Sequence, residues 1–336
     1  MWPRRATLRW RTKEMVMAVA FSPDDRYVAT GHFDGTVVIF DAVTGSARLD
    51  FNISPPNRIL PVTALRFHPA APILVLTASD GTLEKRDIRS GEVLFHTKEE
   101  NNEIYCLDYR RDGSYFATGG SDGSIRVYED VSNRVVSLYR TITEHNANHP
   151  AGRMYAVVFS PDDLNLLFAG GWGNTVHVFD LRHKDAERKS LFGPYLTGDA
   201  LDVRNGIIIT ASNRLEKRLE MIDSETGAFN DLGWPSQYNF CPTCAKQSHD
   251  SNGEFVAVGG GGMNGLDHAA FVLERRTGKC VVDQAFEGSV NACAFTFNAA
   301  NSVNSNVVKV AFGDSAGQTH IFERPAPQQQ QRAAKQ

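Results

Sequence analysis

Short apolar runs alternate with turn-forming clusters from the first residues onward. Residues 19–21 (Val-Ala-Phe) predict a short strand. Ser22-Pro23-Asp24-Asp25 follows, with a proline pre-set for a turn and aspartates able to bond their own backbone. Residues 27–30 predict a second strand. Asp34-Gly35 predicts a tight hairpin, because glycine takes the positive φ that other residues resist. Residues 36–40 (Thr-Val-Val-Ile-Phe) are apolar at successive positions, the pattern of a strand covered on both faces. Thr44-Gly45 turns the chain into a fourth strand near 47–51.

This phrase recurs. The aromatic residue before the first turn is Phe21, then Phe67, Tyr109 and Phe159, at separations of 46, 42 and 50 residues, and Phe295 stands near the end. The separation of 136 residues from Phe159 to Phe295 leaves room for two weaker copies. One runs from 198 to 227, where Asp223 and Gly227 match Asp41 and Gly45. The other ends at Thr277-Gly278, with a strand at 255–258. Repeats of this period with four strands each predict an all-β fold, a seven-bladed β-propeller of four-stranded antiparallel blades. An eight-bladed or two-sheet arrangement is the alternative. The last unit stops at its third strand, since Pro325 follows almost at once. Residues 7–11 alternate polar and apolar, so this N-terminal strand is expected to complete the last blade and close the ring. The expected organisation is an N-terminal extension at 1–5, the propeller at 6–324 and a disordered Pro/Gln-rich tail at 325–336.

Over about residues 6–324 the chain resembles the WD-repeat β-propeller family, clearly in the first four units and weakly in the fifth and sixth. No unit has the Trp-Asp dipeptide that names the family. The Trp position reads Phe40, Arg86, Tyr128, Phe179, Ile222, Leu273 and Phe322, and the Asp survives as Asp41, Asp87, Asp180 and Asp223. The turn Asp survives as Asp34, Asp80 and Asp122. The family's Gly-His dipeptide is nearly absent, with only Asn148-His149 at the matching distance. The family's internal His–Asp–Ser–Trp hydrogen-bond network is therefore incomplete in every blade. Blades held mainly by apolar packing are expected, with the least stability in blades five and six.

Composition narrows the function. The chain has 336 residues, a net charge of −4 and no sustained basic stripe, which weighs against nucleic acid or anionic membrane as a direct partner. No apolar run approaches the ~18 residues of a membrane-spanning helix, so no membrane insertion is expected. The N-terminal stretch has arginines but no apolar core for a secretory signal. A mitochondrial presequence competes there with the strand at 7–11. Five scattered cysteines fit a reducing compartment, and a cytoplasmic location is expected, with nuclear or cytoskeletal association open.

Candidate chemistry is sparse. Cys241-Pro-Thr-Cys244 has zinc-knuckle spacing with His249 five residues on, but no second cysteine pair is near, so no metal site is expected. The glycine-rich 259–262 stretch lacks the Lys-Ser/Thr of a phosphate loop and predicts a hairpin loop. His145 and His149 lie in a long connection, where a packing role outweighs a ligand role. No nucleophile–base, paired-carboxylate or HExxH spacing appears, so no catalytic residue and no cofactor is expected. Inner-strand positions such as Ala18, Ala64 and Ala156 are small, which argues against chemistry in a central channel.

The resemblance places partner contacts six and four residues before the anchor aromatic and just before the turn Asp. Blade one then offers Met15, Met17 and Phe33. Blade three offers Glu103, Tyr105 and Ser121. Blade four offers Arg153, Tyr155 and Trp172, although Gly173 replaces its turn Asp. Blade two offers only Pro61, Thr63 and Ser79. Trp, Tyr and Arg dominate interface energies, so Met15, Met17, Phe33, Tyr105, Arg153, Tyr155 and Trp172 are the candidate partner-binding residues. The competing reading is that Met15, Met17 and Phe33 pack on neighbouring loops. The expected function is a non-catalytic scaffold that binds proteins or peptides on the propeller's top face. The alternatives are a structural subunit of a large cytoskeletal or ribonucleoprotein assembly, and a small-ligand-binding or catalytic propeller.

Overall fold

The computed structural model describes residues 1–141, 152–183, 187–250, 253–262, 267–297 and 307–325. His145, Asn148, His149, residues 263–265 and the tail beyond Pro325 lie outside the described residues. The described chain forms seven four-stranded antiparallel sheets, each built from strands consecutive in sequence except the last. The inner strand of every blade packs against the inner strands of both neighbours, so the seven blades close into a propeller. Among the described residues no helix is long and apolar enough to cross a membrane.

Blade one shows how the sequence builds the unit. Its strands are Val16–Phe21, Tyr27–His32, Thr36–Asp41 and Ala47–Asn52. The third is buried from Thr36 to Phe40, as its unbroken apolar run requires, because a blade lies against it on each side. The turn before it needs glycine. Gly35 has φ 86°, and a Cβ there would stand 2.2 Å from the Ser54 hydroxyl. The core consists of layers between blades. Between blades one and two, Ala18, Val37, Ile39, Val62, Leu65 and Leu74 interlock.

Closure uses the N-terminus as expected, although the strand runs Arg4–Arg9 rather than 7–11. It pairs with Gln318–Glu323, setting Leu8 opposite Thr319, and completes the seventh sheet. The residues before it are also engaged. Trp2 is buried, donates its backbone N–H to Val281 O at 2.7 Å and packs edge-on against Phe255 of blade six at 4.8 Å.

Two sequence expectations need correction. The internal polar network is not simply incomplete; in blade three it is rebuilt from other residues. The buried Glu99 carboxylate accepts from Thr118 Oγ1 (2.5 Å), Tyr128 OH (2.9 Å) and Asn102 Nδ2 (2.6 Å), and pairs with Arg126 (3.2 Å). Tyr128 holds the position that gives the family its Trp, and a carboxylate serves as the hub. Blade four pairs His177 with Glu187 at 2.8 Å, and blade seven pairs His320 with Asp314 at 3.2 Å.

The second correction concerns the channel. Ala18, Ala64 and Ala156 are small, as read, but the residue just before each anchor position also faces the axis. That position is Arg66 in blade two, Asp108 in blade three, Asp202 in blade five and Lys246 in blade six. Arg66 bonds Asp108 at 3.3 Å and reaches Asp199 at 3.0 Å, and Lys246 meets Asp199 at 2.7 Å. This chain of charges crosses the channel from blade two to blades five and six. Burial pushes the Asp108 carboxyl up, while Lys246 and Arg66 outweigh burial at Asp199 and bring it down.

Candidate functional site

Each inner strand begins at one face of the ring, here the upper face, where the turns between second and third strands also lie. Blade four places three of the sequence candidates there. Arg153 and Tyr155 flank the start of Met154–Phe159. Trp172 opens the next turn and donates its backbone N–H to Arg153 O at 3.1 Å. The backbones are in close contact: a Cβ on Gly171 would meet Arg153 O at 1.7 Å. Tyr105 comes from the start of the blade-three strand Ile104–Tyr109.

These side chains form one ladder. Tyr105 stacks on Tyr155 with centroids 4.8 Å apart and rings 7° from parallel. Tyr155 meets Trp172 at 5.8 Å, and Trp172 stacks on Tyr195 at 6.4 Å. The Arg153 guanidinium lies 4.9 Å from the Trp172 ring centre and 5.8 Å from that of Tyr105, within cation–π range. Its Nη1 donates to the Tyr105 hydroxyl at 2.8 Å, and that hydroxyl donates in turn to Glu103. Arg153 also pairs with Glu103 at 3.9 Å. Burial and the Glu103 carboxylate push the Tyr105 hydroxyl up, so it stays a proton donor. Aromatic pairs of this geometry contribute about 0.5–1.5 kcal/mol each beyond their burial, which fixes the rings before anything binds.

Two apolar side chains of blades four and five stand in water on the same face. Phe192 ends the outer strand of blade four and is 85% exposed, opposite Thr175 just past the Trp172 turn. Leu215, at the corresponding turn of blade five, is 91% exposed. Trp172 itself is 37% exposed. Tyr195 is held in the link between these blades, its N–H on Ser212 Oγ at 2.9 Å and its carbonyl accepting from Asn213 N at 2.9 Å. Sequence reasoning missed Tyr195, Phe192 and Leu215. Tyr195 lies outside the repeat spacing, and the exposure of the other two follows from strand ends.

Four of the seven sequence candidates thus come together: Tyr105, Arg153, Tyr155 and Trp172. The other three lie in blade one, with blade two between. Phe33 is 40% exposed and donates its backbone N–H to Met15 O at 2.9 Å, while Met15 and Met17 are half-buried. Among the described ring contacts none joins Phe33 to the ladder. In blade two the Thr63 and Thr77 hydroxyls bond each other at 3.0 Å, leaving a small polar gap.

The cysteine pair proves to be part of a blade. Cys241 and Cys244 lie on the inner strand Cys241–Gln247, and Cys244 is buried in the core beside Cys293. His249 packs edge-on against Phe297 at 4.3 Å. Among the described residues no group of three or more His, Cys, Asp or Glu side chains could hold a metal ion.

Comparison with known proteins agrees with this architecture. The family described as "WD domain, G-beta repeat" matches residues 3–41, 91–129 and 137–180. Apoptotic protease-activating factor 1 of Rattus norvegicus is 28% identical over 180 residues, covering 50% of this chain and 14% of that protein. Serine-threonine kinase receptor-associated protein of Homo sapiens is 30% identical over 81 residues, or 24% of this chain and 23% of that protein. An uncharacterized WD repeat-containing protein of Schizosaccharomyces pombe is 31% identical over 116 residues, or 34% of this chain and 28% of that protein. The match therefore spans well under a third of the length of each of these relatives. The chain thus carries repeats that match the WD-repeat family between residues 3 and 180, in a ring of seven four-stranded blades, the fold of a β-propeller.

Proposed function

We propose that the protein is a non-catalytic interaction scaffold, and that a protein or peptide partner docks on the upper face of blades three to five. The observation that carries this reading is the ladder Tyr105–Tyr155–Trp172–Tyr195 with Arg153 laid over it. Fixed aromatic rings and an ordered arginine lose little freedom on binding, which is why such residues dominate interface energies. The exposed Phe192 and Leu215 extend the apolar surface beyond the rings. Large apolar side chains grouped in water are a cost unless something covers them. The ionic groups of the channel pair with one another, so they do not compete as a catalytic centre. One relative's name records association with a serine-threonine kinase receptor, which accords with a docking role without naming this chain's partner.

Hydrogen exchange tests the location. The native complex, purified with its copurifying partner, is compared with the free protein. The reading expects slowed exchange at the starts of the inner strands of blades three and four, at the Trp172 turn and around Tyr195. Slowed exchange confined to the outer strands or the lower face would contradict it.

A further inference from the structure

The lower end of the channel is an open cavity. The charge chain Asp108–Arg66–Asp199–Lys246 bars the axis. Below that bar lies a cavity of about 610 Å³, opening on the face opposite the aromatic ladder. That volume falls in the range of small-molecule pockets. Blades one, two and four line its rim with Pro23, Pro69 and Pro161, which are apolar and rigid. Across the mouth the lining is polar, with Arg204 of blade five and His249 of blade six.

Hydrogen bonding on that side is lopsided. Every lining carboxylate already accepts. Asp108 takes Arg66 and the Phe159 N–H (2.9 Å), and Asp202 takes the N–H groups of Val203 and Gln247. Asp162 takes the Gly206 N–H, and Asp250 takes Ser248 and the Glu254 N–H. The donors are not used to the same extent. The Arg204 side chain makes no hydrogen bond among the described residues, and its Nε is buried without a partner among them. His249 makes none either; its ring rests on Phe297. A buried donor without an acceptor costs about 1–3 kcal/mol, more when charged. A ligand bearing acceptors complements this donor-rich side, and one that brings further donors does not. The local field has the same sign: burial, then Arg204, Lys246 and Arg66, hold the His249 imidazole neutral.

From this arrangement we infer that the lower channel mouth binds a small organic anion, its carboxylate or phosphate on Arg204 and His249 and its apolar body against the proline side. The site is separate from the upper-face docking surface.

The test uses the full chain, with phenyl phosphate and benzoate as anionic probes and benzyl alcohol as a neutral one. Binding is measured by calorimetry at fixed ionic strength. Saturable binding of phenyl phosphate or benzoate but not benzyl alcohol is expected, and which anion binds tighter separates a phosphate from a carboxylate ligand. Arg204→Gln should weaken it about tenfold or more, the usual effect of losing a charged hydrogen bond. Trp172→Ala should leave it unchanged. In the wild-type protein the bound probe should also slow diethylpyrocarbonate modification of His249, a readout that needs no variant to fold. The inference is overturned if neither anion binds, if benzyl alcohol binds as well, or if His249 is not protected. Unchanged affinity in a folded Arg204→Gln protein would overturn it too.

Discussion

Deleting residues 1–12 should lower the melting temperature by more than about 10 °C or drive the protein into aggregates. The strand Arg4–Arg9 is the fourth strand of blade seven, so its loss exposes the unpaired edge of Gln318–Glu323. It also removes Leu8 and Trp2 from the core, where they are 4% and 7% exposed. Two such side chains contribute roughly 1.5–3 kcal/mol each. At about 1.5 °C per kcal/mol for a chain of this size, burial alone accounts for roughly 4–9 °C of the predicted drop. The open edge adds a template for pairing with other chains. Trp2 matters beyond blade seven because it packs on Phe255 of blade six. Thermal melts beside size-exclusion chromatography measure the effect. A truncated protein that stays monomeric and melts within two degrees of the full chain would show that the ring does not depend on this strand.

Removing the Glu99 carboxylate should be the most damaging single substitution in blade three. Its side chain bonds Thr118, Tyr128 and Asn102 and pairs with Arg126. In Glu99→Ala the hydroxyls lose their acceptor and Arg126 keeps only Asp122, at 2.6 Å. Breaking one side of a buried ion pair typically costs about 3–5 kcal/mol. Glu99→Gln should cost less, because the amide oxygen still accepts from Thr118 or Tyr128. Thermal melts of both variants decide the matter. Equal, small shifts for Ala and Gln would mean that the hub carries little of the blade's stability.

How much of this was legible in the sequence differs by element. Blades one to four declared themselves through Phe21, Phe67, Tyr109 and Phe159, each followed by a turn. Blades five and six were faint for a physical reason. Their anchor positions are Val203 and Gln247, and Gln247 is held by hydrogen bonds to Asp202 O (3.3 Å) and Ile207 O (3.2 Å) rather than by an aromatic contact. The closing strand was found three residues late because the Arg4-Arg5 pair hides an edge strand whose outer side faces water. In the candidate site, the family resemblance pointed to Tyr105, Arg153, Tyr155 and Trp172. Tyr195 escaped because it belongs to a link between blades, where position follows from the neighbouring turn. The channel charges were readable in principle, since Arg66, Asp108, Asp202 and Lys246 share one place in the repeat. The alanines two positions earlier in blades two and four drew attention away from it.

The most direct test of the docking face is the variant Tyr155→Ala/Trp172→Ala, expressed at native level and compared with wild type by quantitative affinity purification. Arg188→Ser, on the outer strand of blade four, serves as the surface control. A buried aromatic anchor contributes about 2 kcal/mol or more, over tenfold in affinity. The account predicts that the double variant melts as a folded protein yet loses most of its copurifying partner, while Arg188→Ser retains it. A well-folded double variant that keeps its full partner set would place the interface elsewhere and contradict the account.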